Sequence, residues 1–92
     1  MAKKAEKGWS LYMLRCRDRT LYTGITNDIA RRLLLHKKGI AARYTRGRLP
    51  VKLVHQEPCG SRSDALKKEH ALKKLKRAEK EAYIKNYGSV NR

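Results

Sequence analysis

Two short runs with an alternating side-chain pattern, separated by a polar break, constrain the fold of this chain more than any other feature. The first run spans residues 9–16 and the second spans residues 21–25. In both runs the side chains alternate between the two faces of a pleated strand, and this period of two indicates β-structure. Arg17-Asp18-Arg19 lies between them and reads as a turn. The stretch therefore predicts a β-hairpin.

The length of this turn decides whether Tyr12 and Tyr22 lie on the same face of the hairpin. A turn with an odd number of residues places both rings on one face, and a two-residue turn places them on opposite faces. The chain lacks the Asn-Gly or Asp-Gly pair typical of a two-residue loop, which leaves the odd register open.

A helix is predicted directly after the hairpin. Thr26-Asn27-Asp28 is an N-cap signal, with either Asn27 or Asp28 as the cap. The helix is expected to run to about Lys38 and to stop at Gly39. Its apolar stripe contains Ile29 and Leu33, with Ala30 and Leu34 beside it. Two polar residues border that stripe, Arg32 and His36.

The remainder of the chain predicts one more strand and two more helices. A basic loop at 41–49 leads into a strand at 51–56, and Glu57-Pro58-Cys59-Gly60 is expected to end that strand. Helices are expected at about 63–75 and 78–87. The order β-β-α-β-α-α predicts an α+β fold in which helices flank a small three-stranded antiparallel sheet. We expect a single domain over 9–87, a disordered basic leader at 1–8 and a tail at 88–92.

The charge of the chain indicates a polyanionic partner. Lys and Arg number 24 against 8 acidic residues, a formal net charge of +16. Such an excess fits nucleic acid best. Basic residues interleaved with an aromatic ring suit a strand-binding surface. The predicted nucleic-acid-binding residues are Arg43, Tyr44, Arg46, Arg48, Lys67 and Lys68.

Several other classes of protein are disfavoured. Two cysteines, without a CxxC or Cys/His cluster, indicate neither a disulfide framework nor a zinc site. The first residues lack the apolar core of a signal peptide, and no stretch is long and apolar enough for a membrane helix. We therefore expect a cytoplasmic protein with no membrane association.

Glu69 is the carboxylate with the most informative position. It falls on the apolar face of the helix at 63–75, where a charge is costly unless it is paired or bound to a metal. An ion pair with Arg or Lys is one reading. The other reading is a phosphodiester-cleaving site with Tyr12 or Tyr22 as base, Arg32 as the phosphate-neutralising cation and Glu69 as Mg²⁺ ligand. Positive charge around a tyrosine favours its phenolate.

The same residues resemble the GIY-YIG endonuclease superfamily. Ser10-Leu11-Tyr12 stands where the first triplet belongs, and Tyr22-Thr23-Gly24 where the second belongs. The runs GITNDIARRLLLH and SDALKKEHALKK resemble the family's arginine-bearing and glutamate-bearing helices. The resemblance covers about residues 9–85 and is strongest to small stand-alone bacterial proteins of the YhbQ type.

The resemblance implies a fold, a chemistry and a set of roles. The implied fold is a three-stranded antiparallel sheet flanked by helices, and the implied reaction is single-metal hydrolysis of DNA. One motif tyrosine is the general base, with Tyr12 favoured over Tyr22; Arg32 stabilises the phosphate and Glu69 holds Mg²⁺ or Mn²⁺. Gly24 and His36 are supporting residues. His36 is read either as a group that supports the catalytic residues or contacts the phosphate, or as a histidine capping the C-terminal end of its helix.

Three features depart from the family pattern. Ser10 and Leu11 replace the glycine and isoleucine of the first triplet, a change that we expect to be structural. The family's late asparagine has only Asn86 and Asn91 as candidates, and neither has a convincing spacing.

The sequence thus predicts a metal-dependent DNA endonuclease in repair or recombination. Single-stranded, branched and flapped DNA are the expected substrates, with RNA also open, and the protein is expected to be a monomer or weak dimer. The alternative is a basic nucleic-acid-binding module that keeps the fold but has little or no catalytic activity.

Overall fold

Seven elements make up the structure, a computed structural model that describes residues 8–90 and the side chains of residues 8–87. In chain order they are β1 (Trp9–Arg15), β2 (Leu21–Thr26), α1 (Ile29–Lys37), α2 (Arg43–Arg46), β3 (Lys52–Gly60), α3 (Arg62–Lys73) and α4 (Arg77–Val90). The strands form one antiparallel sheet in the order β2-β1-β3, so β1 lies in the middle. The predicted α+β class and three-stranded sheet are confirmed.

The turn between β1 and β2 places Tyr12 and Tyr22 on one face. Cys16 N donates to Thr20 O at 2.9 Å, which closes a three-residue loop. Arg19 within it adopts a left-handed conformation with φ 71°, as such loops require at one position. The resulting register pairs Leu14 with Tyr22. Because Tyr12 and Leu14 project from the same face of β1, both tyrosines lie on that face.

The sheet has a separate core on each face. On the Tyr12 face, Leu14 packs with Ile29 and Leu33 of α1. On the opposite face, Leu11 and Met13 pack with residues of α3, of α4 and of the segment between them, namely Leu72, Tyr83, Ile84 and Leu75. The central strand is therefore buried on both sides, and this fixes the position of every side chain that it carries.

Helix α1 has the predicted cap but a different buried face. Asp28 accepts a hydrogen bond from Arg31 N and is the N-cap, and the helix ends before Gly39, which has φ 77°. His36 is fully buried, whereas Leu34 is 52% exposed. From the apolar pattern alone, Leu34 was expected beside the buried stripe and His36 at its border. His36 is buried instead because it has polar partners inside the fold.

The segment 41–49 is not entirely a loop, as the sequence predicts, because it contains the one-turn helix α2. Its Thr45 is fully buried and donates from Oγ1 to Ala42 O at 3.3 Å. Arg46 N also donates to Ala42 O, at 3.0 Å. This turn is thus held by a buried residue that no local propensity indicates.

Strand β3 continues to Gly60, through the segment that was expected to end it. Pro58 lies opposite Ser10 of β1. β3 is an edge strand, on which proline is tolerated because one row of backbone N–H groups has no partner strand. The predicted end at residue 56 was wrong for this reason.

The last helix extends into the predicted C-terminal tail. Helix α4 begins at Arg77 and continues through Gly88 to Val90, so residues 88–90 of the expected tail are helical. A glycine inside a helix costs only about 1 kcal/mol, so it does not have to end one. Residues 91–92 and 1–7, the last of the tail and nearly all of the expected leader, lie outside the described residues.

A buried carboxylate joins α3 and α4 to β3. Glu57 is only 4% exposed, and its Oε1 accepts hydrogen bonds from His55 Nε2 and Tyr83 Oη, both at 2.6 Å. Lys68 Nζ lies 3.2 Å from its Oε2. Burial alone raises the pKa of Glu57, but these three partners outweigh burial and hold the pKa below its ordinary value. Glu57 is therefore ionised and fully engaged at neutral pH.

We predict that Glu57→Ala destabilises the fold by about 3–5 kcal/mol, because it leaves the other members of a buried charge cluster without their acceptor. Urea unfolding at pH 7 measures the change. Asp64→Ala, which removes an exposed carboxylate of α3, is the matched control and is expected to cost less than about 1 kcal/mol. Equal costs for the two variants would contradict a structural role for Glu57.

Candidate active site

Tyr12 lies at the centre of a cluster of polar side chains on one sheet face. It is 2% exposed, and the centres of the Tyr22 and His36 rings lie 6.3 Å and 5.6 Å from its own. Gly24 is its partner across the hairpin. A Cβ atom on Gly24 would lie 2.7 Å from the Tyr12 hydroxyl, so only glycine leaves room for this phenol. The supporting role expected for Gly24 thus has a steric basis.

A chain of hydrogen bonds runs from Tyr12 into the protein interior. Tyr12 Oη lies 2.8 Å from His36 Nε2, and His36 Nδ1 lies 2.9 Å from Thr45 Oγ1. Since the Thr45 hydroxyl donates to Ala42 O, its oxygen accepts from His36, and Nδ1 carries the proton. His36 Nε2 is then an acceptor, and the Tyr12 hydroxyl donates to it.

His36, the histidine of this hydrogen-bond network, is neutral at pH 7. Burial, and to a lesser degree the neighbouring Arg32 charge, lowers the pKa of His36 from 6.5 to about 4. Its side chain therefore neither caps the end of α1 as a cation nor lies open to a phosphate. It contacts Tyr12, as a residue that supports the tyrosine cluster would.

Tyr12 retains its proton at neutral pH. Burial raises the pKa of Tyr12 to about 12, although the hydrogen bond and charge of Arg32 act in the opposite direction. The expectation that surrounding positive charge favours the phenolate is thus only partly met, because burial outweighs it. The tyrosine needs an acceptor for its proton, and His36 Nε2 already occupies that position.

Arg32 projects from α1 beside Tyr12 and has hydrogen-bonding capacity to spare. Its side chain is half-buried, and its Nε is buried with no hydrogen-bond partner among the described residues. An unpaired buried donor of this kind carries a desolvation penalty unless a ligand accepts from it. The guanidinium is therefore placed to receive an anion next to the Tyr12 hydroxyl.

Glu69 of α3 reaches the same cluster from another element. Its side chain is 18% exposed, and its charge contributes to the raised pKa of Tyr12, which places it within electrostatic reach of the phenol. Its Oε2 lies 3.2 Å from Lys73 Nζ, four residues later on the helix. The ion-pair reading of Glu69 is thus observed, with Lys73 as the partner, and the same carboxylate lies within electrostatic reach of the Tyr12 phenol.

The donors around Glu69 suit a divalent ion held largely by water and substrate. No group of three or more His, Cys, Asp or Glu side chains among the described residues is arranged to hold a metal. Mg²⁺ commonly uses one or two carboxylates and completes its shell with water and phosphate oxygens. The partly exposed Glu69 carboxylate fits that pattern.

The predicted nucleic-acid-binding residues divide into engaged and open groups. Tyr44 stacks on Tyr22 with ring centres 6.0 Å apart, and the Arg48 guanidinium lies 3.9 Å from the Tyr44 ring centre. Arg48 also bonds Asp18, and Lys68 is paired with Glu57 on the opposite sheet face. The other three members are exposed on the surface: Arg43, Arg46 and Lys67.

Sequence reasoning missed several residues of this region. Thr45, which orients His36, has no sequence signal beyond its place in a basic segment. Glu57 and His55, two apart on a strand and hence on one face, are a pattern that indicates the buried cluster. Of the candidate late asparagines, Asn86 is exposed on α4, and Asn91 lies outside the described residues.

Known proteins are similar to this chain over most of its length. Residues 8–86 match the model of the GIY-YIG catalytic domain. A UPF0213 protein of Natronomonas pharaonis is 50% identical over 74 residues, which are 80% of this chain and 87% of that protein. One from Cronobacter sakazakii is 46% identical over 76 residues, 83% and 80% of the two chains.

Two solved structures have the same fold. The solution structure of a protein from E. faecalis superposes with a TM-score of 0.64 at 42% identity, covering 89% of this chain and 88% of the other. That of a UPF0213 protein from Bacillus halodurans has a TM-score of 0.56 at 38% identity, covering 85% and 83%. Within residues 8–90, none of the helices has the length and apolar character needed to cross a membrane.

We predict that the buried, neutral state of His36 makes stability depend on pH. Between pH 6.5 and about 4 the unfolded histidine binds a proton that the folded one does not. The free energy of unfolding should therefore fall as pH is lowered through this window, by about 3 kcal/mol for a pKa difference of this size.

Urea unfolding of the wild type and of His36→Gln at several pH values measures this contribution. The advantage of the wild type over the variant should shrink as the pH is lowered from 7 to 4. An advantage that stays constant over this range, or a His36 NMR titration with its midpoint near 6.5, would contradict the assignment of a buried neutral imidazole.

Proposed function

Because this chain belongs to the GIY-YIG catalytic domain family, we propose that it is a nuclease that hydrolyses DNA phosphodiester bonds with Mg²⁺ or Mn²⁺. The observation that carries the proposal is the convergence on Tyr12. Three side chains from three other elements, Tyr22, Arg32 and Glu69, all influence the pKa of this one buried phenol. A base, a cation and a carboxylate around one point are what phosphodiester hydrolysis requires.

The hydrogen-bond chain supports Tyr12 as the general base. A phenol with a pKa of about 12 holds its proton at neutral pH and is a weak base unless that proton leaves as the water is attacked. Neutral His36, 2.8 Å away, is able to accept it. In this mechanism the Tyr12 oxygen takes a proton from the attacking water while its own proton moves to His36 Nε2.

Tyr22 is the less suitable candidate for the base. Its ring contacts the rings of His36 and Tyr44, and it is half-buried. The hydrogen bonds of the described residues include none from Tyr22 to a basic side chain. We therefore assign Tyr22 to positioning the substrate and the His36 ring, with Tyr12 as the proton-accepting residue.

Arg32 is proposed to bind the scissile phosphate. Its unpartnered Nε gives it a donor for a phosphate oxygen, and its planar fork of donors matches phosphate geometry. As negative charge builds up on the phosphorus-bound oxygens, a fixed guanidinium stabilises the transition state. The Arg32 charge also opposes protonation of His36 in the resting state.

Glu69 is proposed to hold the divalent ion. When bound, such an ion polarises a phosphate oxygen and stabilises charge in the transition state. Lys73 contacts Oε2 of this carboxylate, at 3.2 Å, so Oε1 is the oxygen that the lysine leaves for a metal.

The net charge of +16 supports nucleic acid as the substrate. The proposed setting is DNA repair or recombination. Single-stranded, branched and flapped forms are the proposed substrates. If the site has lost activity, the same basic surface describes a nucleic-acid-binding module.

We predict that Glu69→Gln reduces cleavage at least about 100-fold while DNA binding changes less than about threefold, since the carboxylate acts on the transition state. A panel of single-stranded, flapped and branched DNA, with RNA alongside, is incubated with Mg²⁺ or Mn²⁺. Asp64→Asn, which removes a carboxylate from the first turn of the same helix, is the matched control and should cleave at the wild-type rate.

Two results would count against the proposal in different ways. Cleavage that persists in EDTA would remove the role of the metal. If the wild type binds these substrates but cuts none with either ion, the binding-module alternative describes the protein.

A further inference from the structure

A groove of about 330 Å³ opens beside Arg32 and has no role in the chemistry described so far. It lies between the start of β1, the end of β2, the first turn of α1 and the start of α3. Four of its residues carry the argument that follows, and we call it the arginine groove: Trp9, Arg31, Arg32 and Arg62.

The arginine groove is an anion-binding surface by composition. Three guanidinium groups line it, against the single carboxylate of Asp28, which is already used to cap α1 by accepting from Arg31 N at 3.2 Å. Arg31 and Arg62 are exposed, and Arg32 has the buried, unpartnered Nε. Arginine forks of this kind recognise phosphate with two donors at once.

An aromatic ring accompanies these charges. Trp9, the only tryptophan in the chain, is half-buried, and the Arg62 guanidinium lies 5.5 Å from its ring. That distance is well beyond the 3.9 Å at which Arg48 covers Tyr44. Arg62 therefore makes a looser cation–π contact with the indole. A base is able to lie on the ring once this exposed side chain moves aside.

From this arrangement we propose that the arginine groove binds the nucleotide next to the scissile phosphate, as an unpaired base on Trp9 with its phosphate between Arg31 and Arg62. The base has to be unpaired because a base inside a duplex presents only its edge to a protein. Stacking on an aromatic ring beside a cationic track is the general mode of single-strand recognition.

This inference deepens the proposed function, and it rests on that function only for the statement that the phosphate at Arg32 is the one cut. Arg32 belongs to both sites, so a strand with its scissile phosphate there has its neighbouring nucleotide in the groove. The substrate class that follows is DNA with at least one unpaired nucleotide at the cleavage point, as in a flap or a single strand.

The sole tryptophan makes binding directly observable. Short single-stranded DNA is titrated in EDTA, so that nothing is cleaved, and Trp9 fluorescence is followed beside the anisotropy of a label on the DNA. We expect the Trp9 emission to be quenched in step with binding. A duplex of the same sequence should bind with little quenching, and inorganic phosphate alone should leave the emission unchanged.

Two charge-reversing substitutions distinguish binding in the arginine groove from general attraction of DNA to the basic surface. Arg62→Glu should weaken single-strand binding at least about tenfold and reduce the quenching. Arg17→Glu makes the same charge change at an exposed turn position on the opposite end of the hairpin and should weaken binding less than about threefold. An oligonucleotide carrying abasic sites throughout should bind to the wild type without quenching, because it has no base to stack.

The outcomes distinguish this proposal from the nuclease proposal. Single-stranded DNA that binds by anisotropy but leaves Trp9 emission unchanged would overturn the groove, even if the protein cleaves DNA. Equal effects of Arg62→Glu and Arg17→Glu would do the same. Base-dependent quenching that is lost in Arg62→Glu would support the groove even if no DNA form is cut.

Discussion

The hydrogen bond between Tyr12 and His36 is the interaction on which the candidate site depends. It joins the central strand to the first helix, and both side chains are almost fully buried. Forming it requires the three-residue turn that sets the hairpin register, the glycine at position 24 that leaves room for the phenol, and the buried Thr45 that fixes the imidazole tautomer. Burial has two electrostatic consequences: it keeps the proton on Tyr12, and it keeps His36 neutral. The pair is thus neutral at rest, and it gains a positive charge only when the proton of the attacking water is relayed to His36.

The two faces of the sheet contribute differently to the site. One face carries Tyr12 and its partners. On the other, the Glu57 cluster ties α3 to β3 through Lys68. Lys68 immediately precedes Glu69 in the helix, so the contact that holds α3 on the sheet also sets where the proposed metal-binding carboxylate lies. The Glu57 cluster, on the other face from Tyr12, therefore supports the position of Glu69. Lys68, which the sequence assigned to nucleic-acid binding, also has this structural partner.

Much of the fold follows from local signals, and the rest follows from contacts that no local pattern encodes. The hairpin, the Asp28 cap and the stop before Gly39 are determined by turn and capping chemistry within a few residues. The convergence of Arg32 and Glu69 on Tyr12 was predicted through the family resemblance, since the residues stand on separate elements. The burial of His36 in place of Leu34 and the extension of β3 through Pro58 depend on tertiary partners, and therefore escaped prediction. The arginine groove escaped it for the same reason, because Trp9 and Arg62 are 53 positions apart in the chain.

The central claim is that Tyr12 is the residue that accepts the proton of the attacking water. Single-turnover cleavage of flapped DNA by Tyr12→Phe and by Tyr22→Phe tests it most directly, with circular dichroism to establish that both variants are folded. The account predicts that Tyr12→Phe loses about 10²–10⁴ in rate, the usual contribution of a general base, and that Tyr22→Phe loses less. Cleavage by folded Tyr12→Phe at close to the wild-type rate would contradict it.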